Sequence, residues 1–223
     1  MRPRVLLLYY SFTNQTRRVA HAMREVFQAA ECDVECLEIE LVDERYPLNL
    51  PLRPFWRRIL KFVLPQLLGT TAQIRFDEKV AAQDYQLVCI GSPTWWFFPA
   101  MPISTFLKSK AAVQVLSNRP FAVFTVCRAL WWINLNSVRR LARRAGGVFV
   151  TSAALVFQGN QVQTMFSFLN YLRTGEDRER YLGCRIYPFG VSAEGIEKAR
   201  SFARSLIEQA GINPANNPTP KEH

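Results

Sequence analysis

Short apolar runs alternating with segments of helical periodicity constrain this chain more than any other feature. Val5 to Tyr10 is a continuous apolar run bounded by turn residues, the pattern of a parallel strand covered on both faces. From Thr16 the period changes: Val19, Met23, Val26, Phe27 and Ala30 recur at helical spacing, with Arg17, Arg18, Arg24 and Glu25 on other faces. Val34 to Ile39 follows as a second strand. The alternation continues with a strand over Gln86 to Ile90, a helix over Ile103 to Lys108 and a strand over Phe121 to Val126. A helix over Val138 to Ala145, a strand over Val148 to Phe157 and an amphipathic helix over Ala193 to Gln209 complete it. Strand, helix and strand in succession require crossover connections, so the expected class is α/β: a five-stranded, doubly wound parallel sheet with helices on both faces.

Two segments lie outside this alternation and are expected to be helical elaborations, 45–71 and 160–185. A chain of 223 residues, 49% of them hydrophobic, is long enough for one well-buried domain and short for two, so 1–210 reads as a single domain. Residues 211–223, ending "INPANNPTPKEH", are polar and proline-rich and are expected to be a disordered tail. The start, Met1-Arg2-Pro3-Arg4 before an apolar run, has the outline of a signal peptide. No small-residue cleavage site follows and the run ends in turn chemistry, so it reads as a first strand.

Twenty-eight basic against 18 acidic residues give a net charge of +10, which favours anionic partners without choosing among nucleotide cofactors, acidic lipids and nucleic acid. No nucleic-acid recognition motif is present, and that class is not expected. The five cysteines, Cys32, Cys36, Cys89, Cys127 and Cys184, include no C-x-x-C pair, and only two histidines are available. Reduced thiols in a cytoplasmic protein, with no metal site, are the expectation. No apolar segment approaches the roughly 20 residues that span a bilayer.

In a doubly wound sheet ligands bind beyond the carboxyl ends of the strands, near the point where strand order reverses. Three loops leave such ends. The first, residues 11–16, offers the hydroxyls of Ser11, Thr13 and Thr16 and successive backbone N–H groups at a helix start, which suits a phosphate as well as a plain helix cap. The second, "GSPTWWFFPAMP", places Trp95, Trp96, Phe97 and Phe98 between Pro93 and Pro99. A flat aromatic ligand stacked on one or two of these rings accounts for them better than burial of all four. The third, "VCRALWWINLN", adds Cys127, Arg128, Trp131 and Trp132, either walling a ligand or anchoring the next helix.

A strand ending in Tyr10-Ser11, with Thr13 and Thr16 following, "GSPTW" closing the third strand and "MPISTFL" opening the next helix, resembles the flavodoxin-like fold and its FMN-dependent reductases. The resemblance runs from residue 4 to about 157 and over the last helix. It extends to flavodoxin-family proteins of actinobacterial type, some labelled dialkylresorcinol condensing enzymes. It implies FMN as cofactor, with the phosphate on Ser11, Thr13, Asn14, Gln15 and Thr16. The isoalloxazine is then expected against Ser92, Pro93, Thr94, Trp95, Trp96 and Phe97, with Cys127 and Arg128 on the adjacent loop. Asn14 departs from the family pattern, which usually has glycine there. If the position needs positive φ, asparagine is the best non-glycine substitute.

FMN implies an oxidoreductase that passes two electrons from NAD(P)H to a quinone or similar aromatic acceptor, the cofactor carrying the chemistry with no catalytic side chain required. The acidic flavodoxin carriers resemble one another in charge. A basic protein does the reverse, favouring the anionic reduced form and a higher potential. The alternative is a flavodoxin-fold protein without flavin, acting as a binding or accessory partner in lipid or polyketide biosynthesis of the dialkylresorcinol type. In residues 53–68, Trp56, Ile59, Leu60, Val63 and Leu67 lie broadly on one side and Arg57, Arg58 and Lys61 on another, with Pro65 near the end. Three readings stay open: a helix packed on the sheet, a peripheral membrane contact, and, with Met165, Phe168, Leu169 and Leu172, a homodimer interface.

Overall fold

In a computed structural model, which describes residues 2–46, 48–181 and 183–212, the expected alternation folds as a parallel sheet. Its strands are β1 (Arg4–Tyr9), β2 (Asp33–Glu38), β3 (Leu87–Trp95), β4 (Pro120–Cys127) and β5 (Val148–Val156). They lie in the order β2-β1-β3-β4-β5, all parallel. The chain leaves β1 toward one edge and returns on the other side for β3, so the reversal of strand order falls between β1 and β3. The expected tail lies outside the described residues, apart from Gly211 and Ile212.

The helices of seven residues or more are α1 (Gln15–Ala29), α2 (Phe55–Leu67), α3 (Met101–Leu107), α4 (Lys110–Leu116), α5 (Trp131–Arg144), α6 (Gln161–Thr174) and α7 (Ala193–Gln209). Side chains alternate across the sheet, and each face has its own core. Val5, Leu7, Cys89, Ala122 and Phe124 pack against Val19, Met23 and Phe27 of α1 and Ala199, Ala203 and Leu206 of α7. Leu6, Leu8, Val88, Ile90 and Val123 pack on the other side against Ile103 and Phe106 of α3, Val115 of α4 and Val138 and Ala142 of α5. The strands are apolar without alternation because both faces are covered.

β3 runs further than its sequence pattern suggests, through Pro93 to Trp95. Its pairing with β1 stops at Gly91, so Pro93 lies beyond the β1 ladder, and from Thr94 the strand pairs instead with the short return Phe98–Pro99. Gly91 itself is required by packing, since a Cβ there would stand 2.3 Å from Cζ of Phe124 and 2.8 Å from Cβ of Tyr9.

Both elaborations contain the expected helices. The segment 45–71 carries α2, whose Pro65, in the last turn, has no N–H to donate to the Lys61 carbonyl. The base of this segment is pinned by Asp43, which accepts from the Arg45 guanidinium and from the backbone N–H of Gln73. These contacts, Arg45 above all, hold the buried carboxyl below the usual carboxylate range. The segment 160–185 carries α6 and a short antiparallel pair, Arg180–Tyr181 with Cys184–Arg185. Among the described residues no helix is long and apolar enough to cross a membrane, and no group of three or more His, Cys, Asp or Glu is placed to hold a metal ion.

Candidate functional site

The loops after β1, β3 and β4 converge on one end of the sheet because these three strands are neighbours and parallel. The first loop is made by backbone. Asn14 stands in the left-handed region, φ 60 and ψ −3, where the chain turns from strand into helix. The Asn14 carbonyl accepts the first helical bond, from Arg18 N–H at 3.0 Å, and Ser11 Oγ accepts from Arg17 N–H at 3.1 Å. Among the described residues no acceptor is found for the N–H groups of Thr13, Asn14, Gln15 and Thr16. Unpaired donors at the positive end of a 15-residue helix are chemically suited to cradle a phosphate-like anion.

The side chains around that cradle are mostly committed elsewhere. Gln15 is buried, and its Oε1 accepts from Val191 N–H and from Arg18, both at 3.0 Å. Gly190, at φ 109, leaves the room for it, because a Cβ there would lie 2.2 Å from the Gln15 oxygen. Gln15 therefore offers an anion its backbone N–H, while its amide ties α1 to the start of α7. Arg17 donates to Asn14 Oδ1 at 2.6 Å and forms a two-pronged ion pair with Glu38 at 2.9 and 2.6 Å. The Asn14 side-chain oxygen is thereby tied to the Arg17–Glu38 pair. Thr13 is half-buried and Thr16 buried.

The second loop is a tight hairpin rather than a long excursion. Thr94 and Trp95 pair antiparallel with Pro99 and Phe98, leaving Trp96, at φ 60, and Phe97 at the turn. Trp95 points inward and meets Tyr10, Phe12 and Phe62 edge-on, with ring centroids 5.2, 6.4 and 4.4 Å away. Trp96 and Phe97 point outward, 47% and 42% exposed. The four aromatics thus divide, Trp95 packed against the fold, Phe98 half-buried opposite it and the middle pair facing out.

Ser92 is fully buried. Its hydroxyl donates to Asn134 Oδ1 at 3.0 Å, and Asn134 Nδ2 donates to the Ser92 carbonyl and to Thr94 Oγ1 at 3.2 and 2.8 Å. Asn134, itself buried on α5, is the residue that sequence reasoning missed. Its one signal was an amide within "WWINLN", in a helix turned toward the sheet. The hairpin is held from the other side by Gln66 of α2, which donates to the Pro99 carbonyl at 2.7 Å.

The third loop turns through Leu130, also left-handed at φ 56, and α5 opens with Trp131 and Trp132 exposed and edge-to-face at 6.1 Å. Cys127 lies beneath the surface, 2% exposed. Burial pushes its thiol up to about 12, with only a partial opposing effect from a hydrogen bond with Thr94, so at neutral pH it is a protonated packing group. Arg128 donates to the backbone and side-chain oxygens of Gln161 at 2.9 and 3.0 Å, fastening the loop to α6. Burial lowers its pKa somewhat. Of the residues expected to touch a ligand, Gln15, Ser92, Trp95 and Cys127 thus build the scaffold. Thr13, Asn14, Trp96, Phe97 and Arg128 stand at or near the surface, joined there by Trp131 and Trp132.

No protein-family model matches the chain, and no curated protein matches it. Solved structures do. A flavoprotein in complex with FMN from Lactobacillus acidophilus NCFM is 22% identical, with a TM-score of 0.53 over 68% of this chain and 93% of the other. A flavodoxin from the domain Archaea is 10% identical, with a TM-score of 0.51 over 93% and 99%. Flavodoxin 1 from Bacillus cereus, in its oxidised state, is 12% identical, with a TM-score of 0.50 over 92% and 97%. At these identities the likeness establishes architecture: the chain has the flavodoxin-like fold.

Proposed function

We propose that this protein binds FMN at the convergence of the three loops and transfers two electrons from NAD(P)H to a quinone or similar aromatic acceptor. The observation that carries the reading is the left-handed Asn14, which makes the turn a glycine would make, with four successive N–H groups that find no acceptor among the described residues at the start of α1. The cradle fits a phosphate monoester, with the hydroxyls of Thr13 and Thr16 beside it. The exposed rings of Trp96 and Phe97 on one loop and Trp131 and Trp132 on the next fit the edge and face of a flat ring system. When bound, FMN supplies the two-electron chemistry. The chain's own residues fix the phosphate, flank the ring with apolar surface and keep water from it.

A net charge of +10 supports an acceptor reduced by electron pairs rather than a low-potential shuttle, since positive surroundings favour negative charge on a reduced cofactor. The Cys127 thiol beside the site is held protonated by burial and offers no competing nucleophile at neutral pH. The experiment is direct. Purified protein is expected to be yellow and to release FMN on denaturation, and to oxidise NADH or NADPH with a panel of quinones. Colourless protein that refuses added FMN would sink the redox reading and leave a flavin-free accessory partner in its place.

A further inference from the structure

Helix α2 carries its apolar residues on the wrong side for a packed helix. The face toward the protein holds Phe62 and Gln66. The opposite face presents Trp56, Leu60, Leu64, Leu67 and Leu68, at helical spacings of four, four, three and one, and Trp56, Leu60, Leu64 and Leu68 are 70%, 69%, 61% and 74% exposed. Single exposed apolar residues are ordinary, but a continuous stripe along a 13-residue helix marks an interaction surface.

Charge selects the occupant. Arg57 and Lys61 border the stripe on one flank, are exposed, and have no acidic partner among the described residues, and Arg58 continues the basic side. From Arg45 to Phe76 the sequence contains no Asp or Glu. A second copy of this chain meeting the stripe about a two-fold axis would bring the same cations together with nothing to offset them. The sequence after Ile212, "NPANNPTPKEH", has no large apolar residue with which to cover the stripe. An anionic lipid surface meets both halves at once, taking the tryptophan and leucines into the acyl boundary and the cations at the headgroups.

We infer that α2 docks the protein flat on the surface of an anionic bilayer through Trp56, Leu60, Leu64 and Leu68, with Arg57 and Lys61 at the headgroups. The opposite side of α2 holds the hairpin of the candidate site through Phe62 against Trp95, 4.4 Å between centroids, and through Gln66 to the Pro99 carbonyl. Docking therefore sets that hairpin about one helix diameter, roughly 10 Å, from the lipid. Reach of the site to a lipophilic acceptor rests on the proposed function; the docking itself does not.

The test is co-sedimentation of the full chain with vesicles of phosphatidylcholine alone or with about a third phosphatidylglycerol, at low and physiological salt. The full chain is expected to partition at least about tenfold more strongly onto the anionic vesicles. Arg57→Glu/Lys61→Glu is expected to bring it to the neutral-vesicle level, and Leu60→Asp/Leu64→Asp to abolish binding to both, with circular dichroism melts unchanged because the replaced side chains are exposed. Equal partition onto neutral and anionic vesicles, or either double variant binding like the parent, overturns the docking. So does a dimer by light scattering that Leu60→Asp/Leu64→Asp dissociates in a protein that ignores vesicles, which would assign the stripe to a second copy. None of these readouts depends on bound flavin, so failure here and failure of the redox reading are distinguishable.

Discussion

Between Ser11 and Thr16 the chain leaves backbone N–H groups without acceptors among the described residues, and at Trp96, Phe97, Trp131 and Trp132 it leaves rings exposed. The first region is defined by one dihedral: with Asn14 at φ 60 the N–H groups of residues 13–16 find no acceptor among the described residues, and the side chains of Ser11 and Asn14 are tied to Arg17 beside that turn. The second region depends on which side chains reach the surface, and its backbone is fixed from beneath by Asn134 and Gln66. A backbone site tolerates side-chain changes that keep its dihedral and fails with those that do not. A ring site loses affinity one ring at a time.

The largest expected effect follows from that difference. Asn14→Val puts a β-branched residue at positive φ, a strain of about 1–3 kcal/mol. FMN affinity is expected to fall roughly 5- to 150-fold if the turn relaxes away from the cradle. Asn14→Gly removes the Arg17 contact but keeps the dihedral, and it is expected to stay within about twofold of the parent. Isothermal titration of FMN into both variants decides the point; a weak Asn14→Gly with an unimpaired Asn14→Val would show that the amide, not the turn, holds the phosphate.

The scaffold of the ring half comes next. Asn134→Leu leaves the Ser92 hydroxyl and carbonyl without their buried partner, at a cost of about 1–3 kcal/mol. For a chain of this size that lowers the melting temperature by roughly 2–12 °C. Flavin affinity is expected to weaken as well, because the hairpin is freed on one side. A variant with unchanged melting and unchanged affinity would remove Asn134 from the design of the site.

How much of this was legible in the sequence follows the same division. The sheet was, because strands covered on both faces must be continuously apolar and the crossover helices must repeat at 3.6. The left-handed turn after β1 was as well, because its signal is local: hydroxyls after a strand, then an asparagine able to take positive φ. The ring half was legible only in outline. "TWWFFP" announces exposed aromatics but not which ones, since the division of Trp95 from Trp96 is set by a two-residue hairpin whose register depends on Pro99 meeting Thr94. Asn134 and Gln66 act across 42 and 33 residues of sequence, and no local pattern encodes such pairings. The stripe on α2 is the instructive exception: its amphipathic period was plain, yet the period cannot say which face turns outward.

A smaller effect is expected for Trp96→Ala. Trp96 is exposed, so its loss should leave the melting temperature where it was, while the loss of one aromatic contact costs about 0.5–1.5 kcal/mol, or roughly 2- to 12-fold in flavin affinity. Trp95→Ala is the contrast, since it removes the ring that Tyr10, Phe12 and Phe62 surround and should destabilise the fold first. Melting curves and flavin titrations on the pair measure whether the two neighbours do divide between surface and scaffold. If both lower stability equally, the hairpin is packed more deeply than its exposure suggests.

The smallest effect is expected at Cys127, which sits beside the rings but belongs to the scaffold. Because burial raises its pKa to about 12, the thiolate fraction at pH 8 is about one in ten thousand, against roughly a quarter for a thiol with the ordinary pKa of about 8.5. The sign is fixed by burial disfavouring the charged form: raising the pH from 7 to 9 increases the thiolate tenfold per unit but leaves it below about one in a thousand. Alkylation by iodoacetamide, followed residue by residue through peptide masses, is therefore expected to mark the partly exposed Cys36 well before Cys127 across that range. Cys127→Ala should leave quinone reduction unchanged within about twofold, because a protonated thiol has neither charge nor nucleophile to give. Rapid labelling of Cys127 at pH 8, suppressed by added FMN, would instead move this residue from the scaffold to the surface that the ligand covers.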